Sequence, residues 1–169
     1  MPEPSKTNPI RETSDEARAQ ARGLIENAQF ASIAVLEPDT GYPLVSRVAV
    51  AMEKDGSPFF LASDLSGHSK ALKIDGRASI LFGEPLQKGD PLAFPRVTVI
   101  GKVEKLSRDD AVHPARRAFW LNKHPKSELY VDFGDFAFYK MSVERVALNG
   151  GFGKAFEMSA ADINEIEKS

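Results

Sequence analysis

One arginine sits inside an otherwise apolar run, Leu44–Glu53 (LVSRVAVAME). Burying an unpaired guanidinium is costly, so Arg47 must face solvent or meet an anion. One hairpin later, Phe59–Ser63 ends in Ala62 and Ser63. A short polar loop then leads to Ser66, Gly67, His68, Ser69 and Lys70. A helix starting there offers free backbone N–H groups and the positive end of its dipole, a setting that takes phosphate. The hydroxyls add donors, Lys70 adds charge, and Arg47 could close the site with a bidentate contact. The same residues also suit a surface arginine beside an ordinary capped helix, and spacing alone does not separate the two.

Other chemistry-bearing residues are sparse. The chain has no cysteine, which excludes a disulfide framework, thiolate metal sites and a cysteine nucleophile. Its histidines, His68, His113 and His124, lack zinc-site spacing, so no metal is expected. His113 stands before Pro114 beside Arg116 and Arg117 and reads as a solvated face. His124, before Pro125, suits a helix end, where a histidine near the last carbonyls is favourable. The acidic pairs Asp109-Asp110 and Asp132/Asp135 read as solvated surface. No Ser-His-Asp arrangement stands out. The run Gly150-Gly151-Phe152-Gly153 permits close backbone approach and positive φ. Phe152 there either packs a turn into the end of the fold or stands near a cofactor or a dimer contact.

These residues need a scaffold. The chain has 169 residues, 22 basic and 24 acidic, with a net charge of -2 and 42% hydrophobic residues. That length is one domain, large enough to bury a core without staples. The balanced charge argues against a basic nucleic-acid face. No apolar run fits a signal peptide or a spanning helix, so a cytoplasmic protein with no membrane partner is expected.

Residues 1–12 hold Pro2, Pro4 and Pro9 and read as a flexible arm. Thr13 and Glu16 have capping-box spacing, and Ala17, Ala21, Leu24, Ile25 and Ala28 share one face, which predicts a helix over 14–28. Strands are predicted over 30–36, 44–53, 59–63, 78–82, 96–106, 136–143 and 145–149. Asp55-Gly56 marks a hairpin between the second and third. Helices are predicted over 66–75 and 107–123, the latter kinked or restarted at Pro114. A short helical tail capped by Ser159 is predicted over 159–169, leaving 13–158 as the main domain. Strands so closely spaced favour a mainly β, antiparallel barrel or sandwich with flanking helices. A doubly wound sheet would need a helix after most strands.

The run SRVAV, the Asp55-Gly56 hairpin, FFLASDLSGHSKAL and GRASILF together resemble the FMN-binding split barrels related to pyridoxamine 5′-phosphate oxidase. The later DPLAFPRVTVIGKV (Asp90–Val103), the HP-x-S-x-x-Y stretch (His124–Tyr130) and GGFG-x-A (Gly150–Ala155) resemble the HugZ-like haem-utilisation branch more closely. The resemblance spans roughly residues 14–156 and implies an antiparallel split β-barrel. It further implies a homodimer with FMN at the subunit interface. Arg47, Ser63, Ser69 and Lys70 would then hold the phosphate, with His68 an alternative basic ligand. Ser46, Val48 and Ala62 would present backbone groups to the ring.

The departures are equally specific. The only tryptophan is Trp120, and no C-terminal Trp and Arg/His set follows Gly151. Pyridoxamine phosphate is therefore not the expected substrate. Haem-degrading members use a C-terminal axial histidine, and none follows Gly153. The expectation is an FMN-dependent oxidoreductase on an unidentified small molecule, the cofactor carrying the redox step. The alternatives are a haem-binding or haem-degrading protein and a flavin-binding module without turnover. The aromatic Phe133–Tyr139 segment suits either a dimer interface or the core.

Overall fold

The computed structural model describes residues 8–164. Positions 1–7 of the expected arm and 165–169 of the expected tail lie outside them. The strands are β1 (Ile10–Arg11), β2 (Phe30–Leu36), β3 (Pro43–Met52), β4 (Pro58–Ser63), β5 (Arg77–Phe82), β6 (Arg96–Lys105), β7 (Phe136–Asn149) and β8 (Ala155–Ser159). The helices are α1 (Asp15–Glu26), α2 (Gly67–Ile74), α3 (His113–Lys123) and α4 (Ala160–Ile163).

The strands run in the order β7-β4-β3-β2-β5-β6, and β6 pairs back onto β7. This closes a six-stranded antiparallel barrel, a mainly β fold with flanking helices. Closure follows from the length of β7. Its residues 136–140 pair with β4 on one edge, while 139–149 pair with β6 on the other. The predicted break in this strand is a bulge: Ile100 faces Arg145 and Gly101 faces Val143, leaving Glu144 unpaired. Gly101 is required there, because a Cβ would overlap the Ser142 carbonyl oxygen. The Asp55-Gly56 hairpin forms as predicted, with Gly56 at φ +82° and its N–H donating to the Glu53 carbonyl (3.0 Å).

Strand alternation sorts the side chains. Ile33, Val35, Val48, Val50, Phe60, Ile80, Val97, Val99 and Val146 fill the barrel. Ala17, Ala21 and Ile25 of α1 and Ala71 and Leu72 of α2 pack onto this core. Ala51, Phe59, Leu61 and Phe138 lie on the opposite face of the barrel wall. There they form a second core with Trp120 of α3 and Val131.

Several boundaries differ from expectation, each for a tertiary reason. Ser14, not Thr13, caps α1, its hydroxyl accepting from the Ala17 N–H (3.1 Å). The Thr13 hydroxyl instead donates to the Glu157 carbonyl (3.1 Å). Ile10–Arg11, placed in the arm by the sequence, pairs in parallel with β8. β8 itself, absent from the predicted strands, extends the edge of β7 beyond β4. α3 begins at His113, so Pro114 occupies its first turn, where a missing N–H costs nothing. Ser159 does cap α4, donating its N–H to Asp162 (2.8 Å).

Candidate functional site

β3 positions the arginine. Val48 and Val50 point into the barrel, so Arg47 points out. The residue is exposed, and its guanidinium carbon lies 5.2 Å from the Phe30 ring centroid. Among the described residues Arg47 has no hydrogen bond or ion pair. Its cross-strand neighbour is Ser32, which in turn faces Leu81. Phe30, Val45 and Leu81 around it are 39%, 63% and 45% exposed. An unpaired cation therefore stands in a bare apolar sheet face, with Ser46 half-buried and Val48 buried behind it.

α2 packs onto the barrel core instead. Its N-cap is Ser66, whose hydroxyl accepts from the Ser69 N–H (3.3 Å) and donates to the Ser63 carbonyl (2.8 Å). The Gly67 and His68 N–H groups have no partner among the described residues. Lys70 is exposed and unpaired. His68 is half-buried with its ring edge-on to Phe60 (6.4 Å between centroids), and burial lowers its pKa. The helix start lies beside Leu44, whose Cδ2 would be 3.4 Å from a Cβ on Gly67. Leu44 and Arg47 lie on opposite faces of β3. The structure therefore puts His68 and Lys70 on α2, one half-buried and one exposed, and leaves Arg47 on the outer wall.

The serines are committed elsewhere. Ser69 is fully buried, its hydroxyl bonded to those of Ser66 (2.7 Å) and Tyr139. The Ser63 hydroxyl donates to the Asp135 carboxylate (2.5 Å) and accepts from the Leu65 N–H (3.1 Å). Ala62 is buried in the β4–β7 pairing. Phe152, 69% exposed, stands at the tip of the β7–β8 turn, where Gly151 and Gly153 take positive φ.

A polar knot behind α2 has no signal in the sequence. Asp64 accepts from Lys105 (2.8 Å) and Tyr139 (2.9 Å) and lies 3.4 Å from Lys73. The Lys105 hydrogen bond holds the Asp64 carboxyl below its ordinary range. Burial, with Asp64 nearby, pushes Tyr139 up to about 12. These groups come from four separate elements, so no spacing could reveal them.

The HP-x-S stretch is structural. The Ser127 hydroxyl accepts from the Trp120 indole N–H (2.8 Å) and donates to the His124 carbonyl (2.6 Å). The His124 ring lies against Trp120 (4.3 Å between centroids), and its Nε2 bonds the Val50 carbonyl (2.8 Å). In the Phe133–Tyr139 segment, Ala137, Phe138 and Tyr139 are buried in the core and Phe133 is exposed.

Residues 12–165 match the model of the CREG β-barrel family. The chain belongs to this family. Its barrel is of the split-barrel type shared by pyridoxamine 5′-phosphate oxidase-like and HugZ-like proteins. It is 35% identical, over 116 residues and 69% of its length, to an Arabidopsis thaliana protein named "Non-canonical heme oxygenase HOZ, chloroplastic". The chain spans 34% of that relative's length. A structure described as a heme binding protein from Mycobacterium smegmatis is 28% identical, with a TM-score of 0.77. That match covers 92% of this chain and 62% of the other. A Clostridium acetobutylicum protein of the pyridoxinephosphate oxidase family, 14% identical, superposes with a TM-score of 0.67 over 89% of this chain and 99% of its own. This last likeness concerns the fold alone. Among the described residues no helix is long and apolar enough to cross a membrane.

Proposed function

We propose that this protein binds haem on the outer barrel face around Arg47 and serves haem utilisation. The observation that carries the reading is the unpaired Arg47 on a bare apolar face of Phe30, Val45 and Leu81. A porphyrin presents a wide apolar plane with carboxylates at its edge, and that face offers a flat apolar surface with one free guanidinium. The sequence by itself favours flavin. Haem moves ahead because the relatives at 35% and 28% identity carry haem in their names.

The residues fit the group in two respects. Arg47 would hold a propionate through charge-assisted hydrogen bonds. His68 would offer a ring nitrogen, since neither of its nitrogens has a hydrogen-bond partner among the described residues and burial favours the neutral ring. His124 is spent on Val50 and Trp120. When bound, haem supplies the redox-active iron. The chain's own residues bind it, orient it and exclude water.

FMN is the second reading, favoured by the exposed cations Arg47 and Lys70 and by the two free N–H groups at the start of α2. It makes the protein an FMN-dependent oxidoreductase on a small molecule, or a flavin carrier. In both readings a second copy of the chain covers the exposed face and completes the site, bringing Arg47 of one subunit toward α2 of another. The cytoplasm is the proposed location.

Absorbance titration of the purified protein with haemin and, separately, with FMN tests the proposal. A sharp Soret band weakened in Arg47→Ala and shifted in His68→Ala supports haem. FMN uptake without a Soret band replaces haem with the flavin reading. Failure to bind either removes both.

A further inference from the structure

We propose a second ligand site, under α3, for a small monocarboxylate with an aromatic or branched apolar body. A cleft of about 470 Å³ lies between the β3–β4 turn, α3 and Lys140. Clefts of roughly 300–1,000 Å³ hold small molecules. Its walls include Met52, Phe59, Val112 and Phe119. Met52 and Phe59 form its buried floor, while Val112 and Phe119, 55% and 51% exposed, are left open to solvent.

Arg116 gives the cleft its chemistry. Its side chain is only 8% exposed. Nε donates to Glu53 Oε1 (2.7 Å). Nη1 is buried without a hydrogen-bond partner, and Nη2 has none among the described residues. A buried donor left unsatisfied is costly and rare in folded proteins. Arg116 is the only buried side chain so left among the described residues. One edge of the guanidinium is thus anchored by Glu53, while Nη1, enclosed by the protein, and Nη2 keep donors that a carboxylate could satisfy. Lys54 and Lys140 stand at the rim, Lys140 paired with Asp55 (3.2 Å).

The anion is selected by this arrangement. A neutral apolar molecule would fill the walls and leave Nη1 and Nη2 unpaired. An inorganic anion would pair the guanidinium and leave Val112 and Phe119 bare. A carboxylate on an apolar body satisfies both. The site lies at the β3–β4 turn, beyond the end of β3, and shares no residue with the face around Arg47, so it is independent of the cofactor reading.

Isothermal titration calorimetry with 4-phenylbutyrate and its neutral amide, 4-phenylbutyramide, tests this. The acid should bind at least about tenfold more tightly than the amide. Glu53→Gln should tighten the acid by relieving its competing charge. Phe119→Ala should weaken both ligands, and Arg47→Ala should change neither. Arg116→Met should abolish the preference for the acid. If that variant fails to fold, the acid–amide comparison and Glu53→Gln still decide. Equal affinity for acid and amide in the parent protein, or no binding of the acid at millimolar concentration, overturns the proposal. So does loss of binding in Arg47→Ala.

Discussion

The outer surface of β3 is treated in two opposite ways along its length. At its end, Ala51 lies beneath Trp120 in a dry layer with Phe59, Leu61 and Phe138. At its start, Val45 and Arg47 face out with Phe30 and Leu81 and are left bare. Both patches are apolar. One is covered by a helix of its own chain, held by Trp120, Ser127 and His124. The other carries an unpaired cation and has no cover. Apolar wall left bare beside an unsatisfied charge is the signature of a surface built for something outside the chain.

The largest expected effect separates the flanks by stability. Phe59→Ala should cost about 3–5 kcal/mol in urea denaturation, because it opens a cavity among Trp120, Phe119 and Phe138. Leu81→Ala on the bare face should stay within about 0.5 kcal/mol. Equal costs would erase the contrast.

Next comes affinity. Arg47→Ala should weaken binding of haemin or FMN by about 1.5–3 kcal/mol, roughly 10–100-fold, with an unchanged melting temperature. A loss of fold rather than of affinity would make Arg47 structural.

Assembly sharpens the comparison further. Val45→Lys should convert a dimer to a monomer in sedimentation velocity at micromolar concentration. A parent protein that already runs as a monomer there would leave the bare face without its second copy.

The smallest effect is one of pH. Burial lowers the His124 pKa below its ordinary value. Below about pH 6.5 the unfolded chain takes up a proton that the folded chain resists. This contribution to stability is therefore present at neutral pH and lost as pH falls. His124→Gln should flatten the dependence of the urea midpoint between pH 7.5 and 5.5. An unchanged slope would place the sensitivity elsewhere, with His68 the next group to replace.

Most of the barrel was legible because its hairpins are local. Asp55-Gly56 and the alternation in β2, β3 and β6 need no distant partner to be read. β1 and β8 were not legible, since each is a strand only because the other end of the chain lies beside it. Arg47 was legible as one charge in an apolar run. The inward turn of the Ser69 and Ser63 hydroxyls was not, because Tyr139 and Asp135, far along the chain, decide it. The Glu53–Arg116 pair spans 63 positions and left no local trace.

The two ends of the fold are sewn together. Ile10 pairs with Ala155, Arg18 bonds Asp162 (2.8 Å) and Arg22 bonds the Ile163 carbonyl (2.7 Å) across 141 positions. On a ribosome moving at about 5–20 residues per second, α1 must wait on the order of ten seconds for the segment that secures it. Its Ala17, Ala21 and Ile25 face packs on the barrel core, which closes only when β7 arrives, and until then the nascent chain offers that face to chaperones.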